Sequence, residues 1–397
     1  MAKREGPLEI LFVFLRLGLI SFGGPVAHFA YFHDAFVVKR RWLDERRFAD
    51  LVALCQFLPG PASSQVGFAI GLGRAGILGG LAAWTGFTLP SAILMTLFAY
   101  NEGSLSGPAG VGLLHGLKLV AVAIVAQAVL GMARSLAPDG PRATIAILAL
   151  MLMAFAPGGA NQIVAILAGG VAGLFVCGGL AEASVEEPRS PVGRKVGIVC
   201  LVLFFALFGL SLLPAGGGSV AFLAAIYRSG ALVFGGGHVV LPLLRAAVVD
   251  PGWVSSEAFL EGYGAAQAIP GPLFTFAAYL GAIATAPPGG ALGAALALIA
   301  IFVPGLLIVS GALPFWHALR ARAGARAAMA GINAAVVGLL ASALYDPVFT
   351  SAVRGSADFA IVAAGFAALI AWRAPPLIVV ALTAAAGAAL SLAAASL

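Results

Sequence analysis

Leu15-Arg16-Leu17-Gly18-Leu19-Ile20-Ser21-Phe22-Gly23-Gly24 and Tyr227-Arg228-Ser229-Gly230-Ala231-Leu232-Val233-Phe234-Gly235-Gly236 are two versions of one phrase. Each sets an arginine in apolar sequence at the same distance before Phe-Gly-Gly. A second landmark follows each copy: Gln56-Phe57-Leu58-Pro59-Gly60-Pro61, then Gln267-Ala268-Ile269-Pro270-Gly271-Pro272. Weaker echoes keep the same order: Trp42 and Trp253, Phe48 and Phe259, Asp50 and Glu261, Pro90 and Pro304, Lys118 and Asn333. Chance similarity between Gly/Ala-rich helices does not keep so many residue types in order at nearly constant spacing. Paired, interrupted apolar segments at matching places in two halves mark a transporter with its site at the repeat junction.

Composition fixes the solvent. The 397 residues are 61% hydrophobic and only 10% charged, against about 25% charged for a soluble domain, and mean hydropathy is +1.05. Apolar runs long enough to cross ~30 Å of hydrocarbon recur along the chain. The alternating pattern of a transmembrane barrel is absent. The chain therefore reads as an all-α polytopic membrane protein. A net charge of +6 invites a nucleic-acid reading, but the basic residues gather in short loops, which is the positive-inside pattern; no nucleic-acid partner is expected. Cys55, Cys177 and Cys200 lie in apolar segments without metal-ligand spacing and read as core residues. No metal or cofactor is called for.

The expected organisation is a first repeat over 1–181, a polar cytoplasmic linker over 182–195, an extra transmembrane helix over 196–214, and a second repeat over 215–397. Gly23-Gly24-Pro25 and Pro59-Gly60-Pro61 interrupt the segments 8–38 and 48–73 near their middles. A helix breaks at such places, so each segment reads as a re-entrant helical hairpin. The second repeat carries the same pair over 219–249 and 257–284, broken at Gly235-Gly236-Gly237 and Pro270-Gly271-Pro272. Lys39, Arg40, Arg41, Arg46 and Arg47 place the first hairpin loop inside; Arg134, Arg142, Arg320, Arg322 and Arg326 mark further inside loops. With 196–214 as an unmatched crossing, the second repeat is inverted relative to the first.

The candidate site follows from the breaks. Arg16 and Arg228 lie within apolar segments, where an arginine costs ~2.5–3.5 kcal/mol on insertion scales and usually marks a pathway. Its planar fork of donors suits oxyanions. Lys118 is a third intramembrane cation. A broken helix exposes backbone N–H groups at the start of its second half, which attract anions. Phe22, Gly23, Gly24, Pro59, Gly60 and Pro61 in copy one, with Phe234, Gly235, Gly236, Pro270, Gly271 and Pro272 in copy two, are therefore candidate binding positions. Ser21, Gln56, Ser63 and Gln267 supply nearby polar side chains. Asp50 and Glu261 are candidates for proton coupling, beside a simpler role as helix N-terminal charges. No carboxylate pair sits at the breaks to hold a cation.

Phe-Gly-Gly after an arginine-bearing apolar segment, the basic loop with Trp42, and Gln-x-x-Pro-Gly-Pro resemble the chromate ion transporter family, in its long two-domain form. The resemblance covers essentially the whole chain. It implies a multi-pass protein of the cytoplasmic (inner) membrane that exports chromate and confers chromate resistance, with sulfate as the competing or exchanged anion. Its motif positions fall on Arg16, Phe22, Gly23, Gly24, Pro59, Gly60 and Pro61, and on Phe234, Gly235, Gly236, Pro270, Gly271 and Pro272. The second copy departs in having Gly237 where Pro25 stands and a shorter, less basic segment before Trp253, so the halves are not expected to be equivalent.

The leading expectation is secondary-active efflux of an oxyanion, driven by the membrane potential without ATP; no P-loop is present. A membrane-embedded lipid-phosphate hydrolase would need an acid or base beside a nucleophile or metal, and the apolar segments lack such a cluster. An anion channel is the third reading. A homodimer is a further expectation.

Overall fold

The computed structural model describes residues 5–22, 24–101, 107–178, 190–213 and 216–395. Gly23 and residues 182–189 of the expected linker lie outside them. The described chain is helical, without strands. The first half contains α1 (Pro7–Ile20), α2 (Gly24–His33), α3 (Glu45–Phe57), α4 (Ala62–Asn101), α5 (Pro108–Leu136), α6 (Gly140–Phe155) and α7 (Gly159–Val176). The unmatched helix is α8 (Arg194–Ser211). The second half contains α9 (Gly218–Ala231), α10 (Val240–Val248), α11 (Ser256–Ala268), α12 (Phe276–Ile283), α13 (Gly290–Ala312), α14 (Trp316–Ala321), α15 (Ala323–Ala343), α16 (Thr350–Ala352), α17 (Ser356–Ile370) and α18 (Pro376–Ala395). Among the described residues, six helical stretches are long and apolar enough to cross a membrane.

The hairpins close as the breaks dictate. Glu9 near the start of α1 meets Arg40 beyond α2 at 3.9 Å, and the Phe14 ring stacks on Phe36 at 5.0 Å. Residues 8–38 therefore go in and come back. The next hairpin returns to the same end. There Arg74 pairs with Glu5 and lies 5.3 Å over the Trp42 ring. The second repeat repeats the geometry with other chemistry: Phe222 contacts Trp253 at 5.5 Å, and the Thr285 N–H donates to the Trp253 carbonyl at 3.0 Å. Even the helix caps correspond. Asp44 accepts from the Arg47 N–H to start α3, and Ser255 accepts from the Ala258 N–H to start α11, each satisfying one orphan donor.

Small residues then let neighbouring limbs touch. The chain reverses within α4 at Ala75 and Gly76, both non-helical, so that Gly71 packs on the Gly79 carbonyl; Gly281 packs on the Gly293 carbonyl in the second repeat. A Cβ at Gly71 or Gly281 would collide with backbone. The two repeats interleave. Helix α15 packs on α6 and α7, α18 on α5, and α12 on α4, with Gly331 against Gly169 and Gly387 against Gly112, the small-residue packing typical of membrane helices. By contrast α8 shows Val199, Val202, Leu203 and Phe205 outward, as lipid contact requires.

One buried charge pair ties the repeats together. Lys118 on α5 meets Glu261 on α11 at 3.0 Å, with 5% and 9% of each residue exposed. Removing one member of a buried pair costs ~3–5 kcal/mol, whereas replacing both by apolar groups is often neutral. Lys118→Met alone is therefore expected to lower stability in detergent sharply, and Lys118→Met with Glu261→Leu to recover most of it. Chemical or thermal unfolding of the purified variants measures both; equal losses in the single and double variants would show that the pair does not couple α5 to α11.

Candidate functional site

The four helix breaks meet in reciprocal pairs. The Gly60 N–H donates to the Val233 carbonyl at 2.7 Å, and the Gly271 N–H donates to the Ser21 carbonyl at 2.8 Å. Gly60 and Gly271 are the middle residues of the two Pro-Gly-Pro breaks. Ser21 and Val233 are the residues just before the two Phe-Gly turns. Each repeat thus inserts its second break into the first break of the other, by the same bond. Gly60 at φ +119° and Gly271 at φ +104° occupy backbone regions open mainly to glycine. A Cβ at Gly60 would stand 2.9 Å from Gly305 Cα, and one at Gly271 2.7 Å from Ser91 Oγ.

Buried polar groups surround this crossing. His28 places Nε2 3.1 Å from the Ser21 carbonyl and Nδ1 3.2 Å from Ser63 Oγ. A neutral imidazole satisfies both contacts by donating from Nε2 and accepting the Ser63 hydroxyl at Nδ1. Gln65 Nε2 donates to the carbonyls of Pro59 at 2.8 Å and Gly305 at 3.0 Å, fastening the break to α13. In the other copy Thr275 donates to the Pro272 carbonyl at 2.8 Å, and His238 Nδ1 lies 2.8 Å from the Tyr263 hydroxyl. Among the described residues, the oxygens Ser21 Oγ, Ser64 Oγ, Gln65 Oε1 and Thr88 Oγ1, and Gln267 Nε2, are buried without a hydrogen-bond partner. Each such group costs ~1–3 kcal/mol, and their collection on segments at the crossing calls for water or a ligand.

The other expected site residues divide. Pro61 packs against Gly305, and Gly24 (φ +80°) borders open space. Phe22, Phe234, Gly235 and Gly236 are half-buried; Pro59 is half-buried and Pro270 buried. Arg228 is half-buried, and its Nη1 donates to the Ser211 carbonyl at 2.8 Å, the last residue of α8, where a cation suits the helix dipole. It also borders a narrow cavity with Gln162 and Ser229. Arg16 stands on the outer face of α1, near exposed Phe12 and Leu19, with no side-chain partner among the described residues. Gln56 is exposed and Asp50 half-buried. Lys118 and Glu261 are brought together with each other. Among the described residues no three His, Cys, Asp or Glu side chains converge.

Several polar residues of the interior were not legible as such. His28 and His238 follow the two glycine turns without aligning with each other, so the repeat gave no reason to pair them with Ser63 and Tyr263. Asp358, in the first turn of α17, is 7% exposed, paired with His115 on α5 at 2.9 Å, and accepts from the Arg354 N–H at 2.8 Å. Outside the apolar segments, Asp139 caps α6 and holds Arg142 through Nε at 2.8 Å. The side-chain and backbone hydrogen bonds from Arg142 hold its carboxyl below the usual aspartate value.

Comparison with known proteins agrees with this duplicated architecture. A family profile described as "Chromate transporter" matches residues 8–174 and again 220–388. The Chromate transport protein of Pseudomonas aeruginosa is 30% identical over 373 residues, 91% of this chain and 86% of that protein. An uncharacterized transporter of Methanocaldococcus jannaschii is 28% identical, covering 81% of this chain and 79% of its own length. The Chromate transport protein of Cupriavidus metallidurans is 25% identical, covering 85% and 81%. No solved structure matches. The doubled family match, falling on the two halves whose breaks interlock, places the chain in the chromate transporter family.

Proposed function

We propose that this multi-pass membrane transporter carries a tetrahedral oxyanion, chromate above all, out of the cytoplasm, with sulfate as the competing or exchanged anion. The observation that carries the reading is the reciprocal crossing: two Pro-Gly-Pro breaks and two Phe-Gly turns meet among buried, unsatisfied polar groups. Ser21, Ser63, Gln267 and the backbone of Phe22, Gly24, Pro59–Pro61, Phe234–Gly236 and Pro270–Pro272 form the anion's surroundings. The middle glycine N–H groups are engaged between the repeats, so hydroxyl, amide and neighbouring backbone donors meet the substrate. A site built of neutral donors binds an anion without holding it by a fixed counter-charge, which favours release.

Arg228 supplies positive potential near the crossing rather than direct ligation in this state, whereas the charge of Lys118 is balanced by Glu261. Protonation of Glu261 would free Lys118, which gives the pair a route to proton coupling; Asp50 is the matching candidate in the first repeat. A homodimer packed on the outer face of α1 would cover Arg16 and Gln56, and would remove an arginine from lipid. The first repeat, 1–181, the linker, 182–195, the inverting helix, 196–214, and the second repeat, 215–397, remain the functional divisions, with the repeats rocking about the crossing.

The membrane potential suffices to drive a dianion outward. At ~2.3 kcal/mol per charge per 100 mV, two charges gain ~4.6 kcal/mol, roughly a thousandfold or more at balance. The family is one of transporters rather than enzymes, and the carrier reading therefore precedes that of a lipid-phosphate hydrolase or a channel. Radiolabelled chromate flux in proteoliposomes is expected to follow an imposed potential, to saturate, and to fall when sulfate is added. Absence of flux at either polarity from folded protein would refute the chromate assignment, and unsaturable currents would favour a channel. Arg228→Gln is expected to cut flux about tenfold or more, because a hydrogen bond to a charged group is worth ~1.5–3 kcal/mol. Unchanged flux would remove Arg228 from the transport path.

A further inference from the structure

The crossing is symmetric in its backbone and one-sided in its side chains. In the register that matches the two Pro-Gly-Pro breaks, Ser63, Ser64 and Gln65 correspond to Phe274, Thr275 and Phe276. In the register that matches the two Phe-Gly turns, Ser21 and His28 correspond to Val233 and Val240. Pro90 and Pro304 likewise set Thr88 against Phe302. The second-repeat set is closed by apolar packing: the rings of Phe274 and Phe302 meet at 5.8 Å, and the Thr275 hydroxyl donates to the Pro272 carbonyl. The first-repeat set is polar and buried. Ser21, His28, Ser63, Ser64 and Thr88 are between 0% and 4% exposed, and among the described residues Ser21 Oγ, Ser64 Oγ and Thr88 Oγ1 have no hydrogen-bond partner. Two of these serines open α4. The Gln65 N–H makes the first bond of that helix, to the Pro61 carbonyl at 2.9 Å, so the N–H groups of Ala62, Ser63 and Ser64 have no partner within it. This first turn lies between the two crossing bonds. Gly60, two residues before α4, holds Val233, and Ser63 reaches through His28 to the Ser21 carbonyl that receives Gly271.

We infer that the oxyanion docks on the first-repeat side alone, at the start of α4 between Ser21, Ser63 and Ser64, and that His28 takes up a proton as it docks; this rests on the oxyanion-transport reading above. A helix N-terminus binds tetrahedral anions through its free N–H groups and its dipole, and here buried hydroxyls stand beside it. The corresponding place in the second repeat is the single 3-10 turn Leu273–Thr275, filled by Phe274. The bonds of His28 supply the proton linkage. The Ser21 carbonyl can only accept, so Nε2 carries a hydrogen. In a neutral imidazole Nδ1 then accepts, and the Ser63 hydroxyl points its proton at the ring. In that state Ser63 turns lone pairs, not a donor, toward an anion. A proton on Nδ1 reverses the bond: the imidazolium donates to Ser63 Oγ, keeps its bond to Ser21, and releases the Ser63 O–H to an anion oxygen. The proton comes from bulk water with the anion, and the N–H bond is the only covalent bond formed. The imidazolium then stands one hydroxyl away from a dianion, and the two attract. The charged side chains of the elements packed on α2 are engaged elsewhere: Glu9 with Arg40, Glu5 with Arg74, Asp34 with Lys39 and His33 with Glu45, while Arg16 is exposed. His28 instead meets Ser63 and the edge of Phe87, at 5.2 Å between ring centroids. It is a positioning residue that acts on the anion through Ser63.

Sulfate is the probe, because it stays a dianion near neutral pH and brings no proton of its own. Binding of radiolabelled sulfate to the purified full-length protein is expected to strengthen about tenfold for each pH unit lowered, the slope of one proton taken up per anion. A pH indicator in weakly buffered solution reads the same proton directly. His28→Asn places an amide oxygen where Nδ1 accepts the Ser63 hydroxyl; it is expected to bind sulfate with both the slope and the proton uptake lost. Ser64→Ala is expected to weaken sulfate binding about tenfold, whereas Thr275→Val, its counterpart in the second repeat, leaves it unchanged. Absence of proton uptake in the unmodified protein, an unchanged slope in His28→Asn, or equal effects of Ser64→Ala and Thr275→Val would overturn the proposal. The first of these readouts depends on no variant folding. Proton-linked sulfate binding without chromate flux would leave the docking site standing and remove the transport reading. Chromate flux without proton-linked binding would do the reverse.

Discussion

Two backbone hydrogen bonds organise this molecule: Gly60 to Val233 and Gly271 to Ser21. Each joins a break in one repeat to a break in the other, and each needs a glycine whose φ is positive. In hydrocarbon every backbone group must find an internal partner, so a broken helix is tolerated only where protein fills the gap. Here the filling is the other half of the same chain. The hairpins, the glycine contacts of Gly71 and Gly281, and the interleaving of α15 and α18 with the first repeat all serve to bring four breaks to one place.

That arrangement links folding to transport. The breaks expose polar backbone and side chains that cannot all be satisfied internally, which is the condition for holding an ion in transit. The crossing bonds belong to both repeats, so motion of one repeat against the other must pass through them. The structure also carries an imbalance. Lys118 is locked to Glu261 on one side, while Arg142, Arg326 and Asn333 border open space on the other. Near-symmetric halves in unlike poses are the physical basis for alternating exposure of a central site.

Much of this was legible in the sequence because its signals are local. Glycine and proline write the breaks, and the return of each hairpin follows from charge at its ends, as Glu9 with Arg40 and Glu5 with Arg74 show. What was not legible joins residues far apart in the chain. Lys118 and Glu261 each stood out, but the repeat matched them to Asn333 and Asp50, whereas the fold pairs them with each other. Asp358 lies in the first turn of α17, and only the packing of that turn on α5 buries it beside His115. Arg142 and Arg326 read only as topology markers until α6 and α15 brought them to one cavity.

The proposed place of the transported oxyanion is the crossing of the four breaks. The most direct test is an experimental structure with tungstate bound at saturating concentration, located by its anomalous scattering. A peak bounded by Ser21, Gly60, Val233 and Gly271 is expected. Tungstate bound elsewhere in the protein, with the crossing empty, would contradict it.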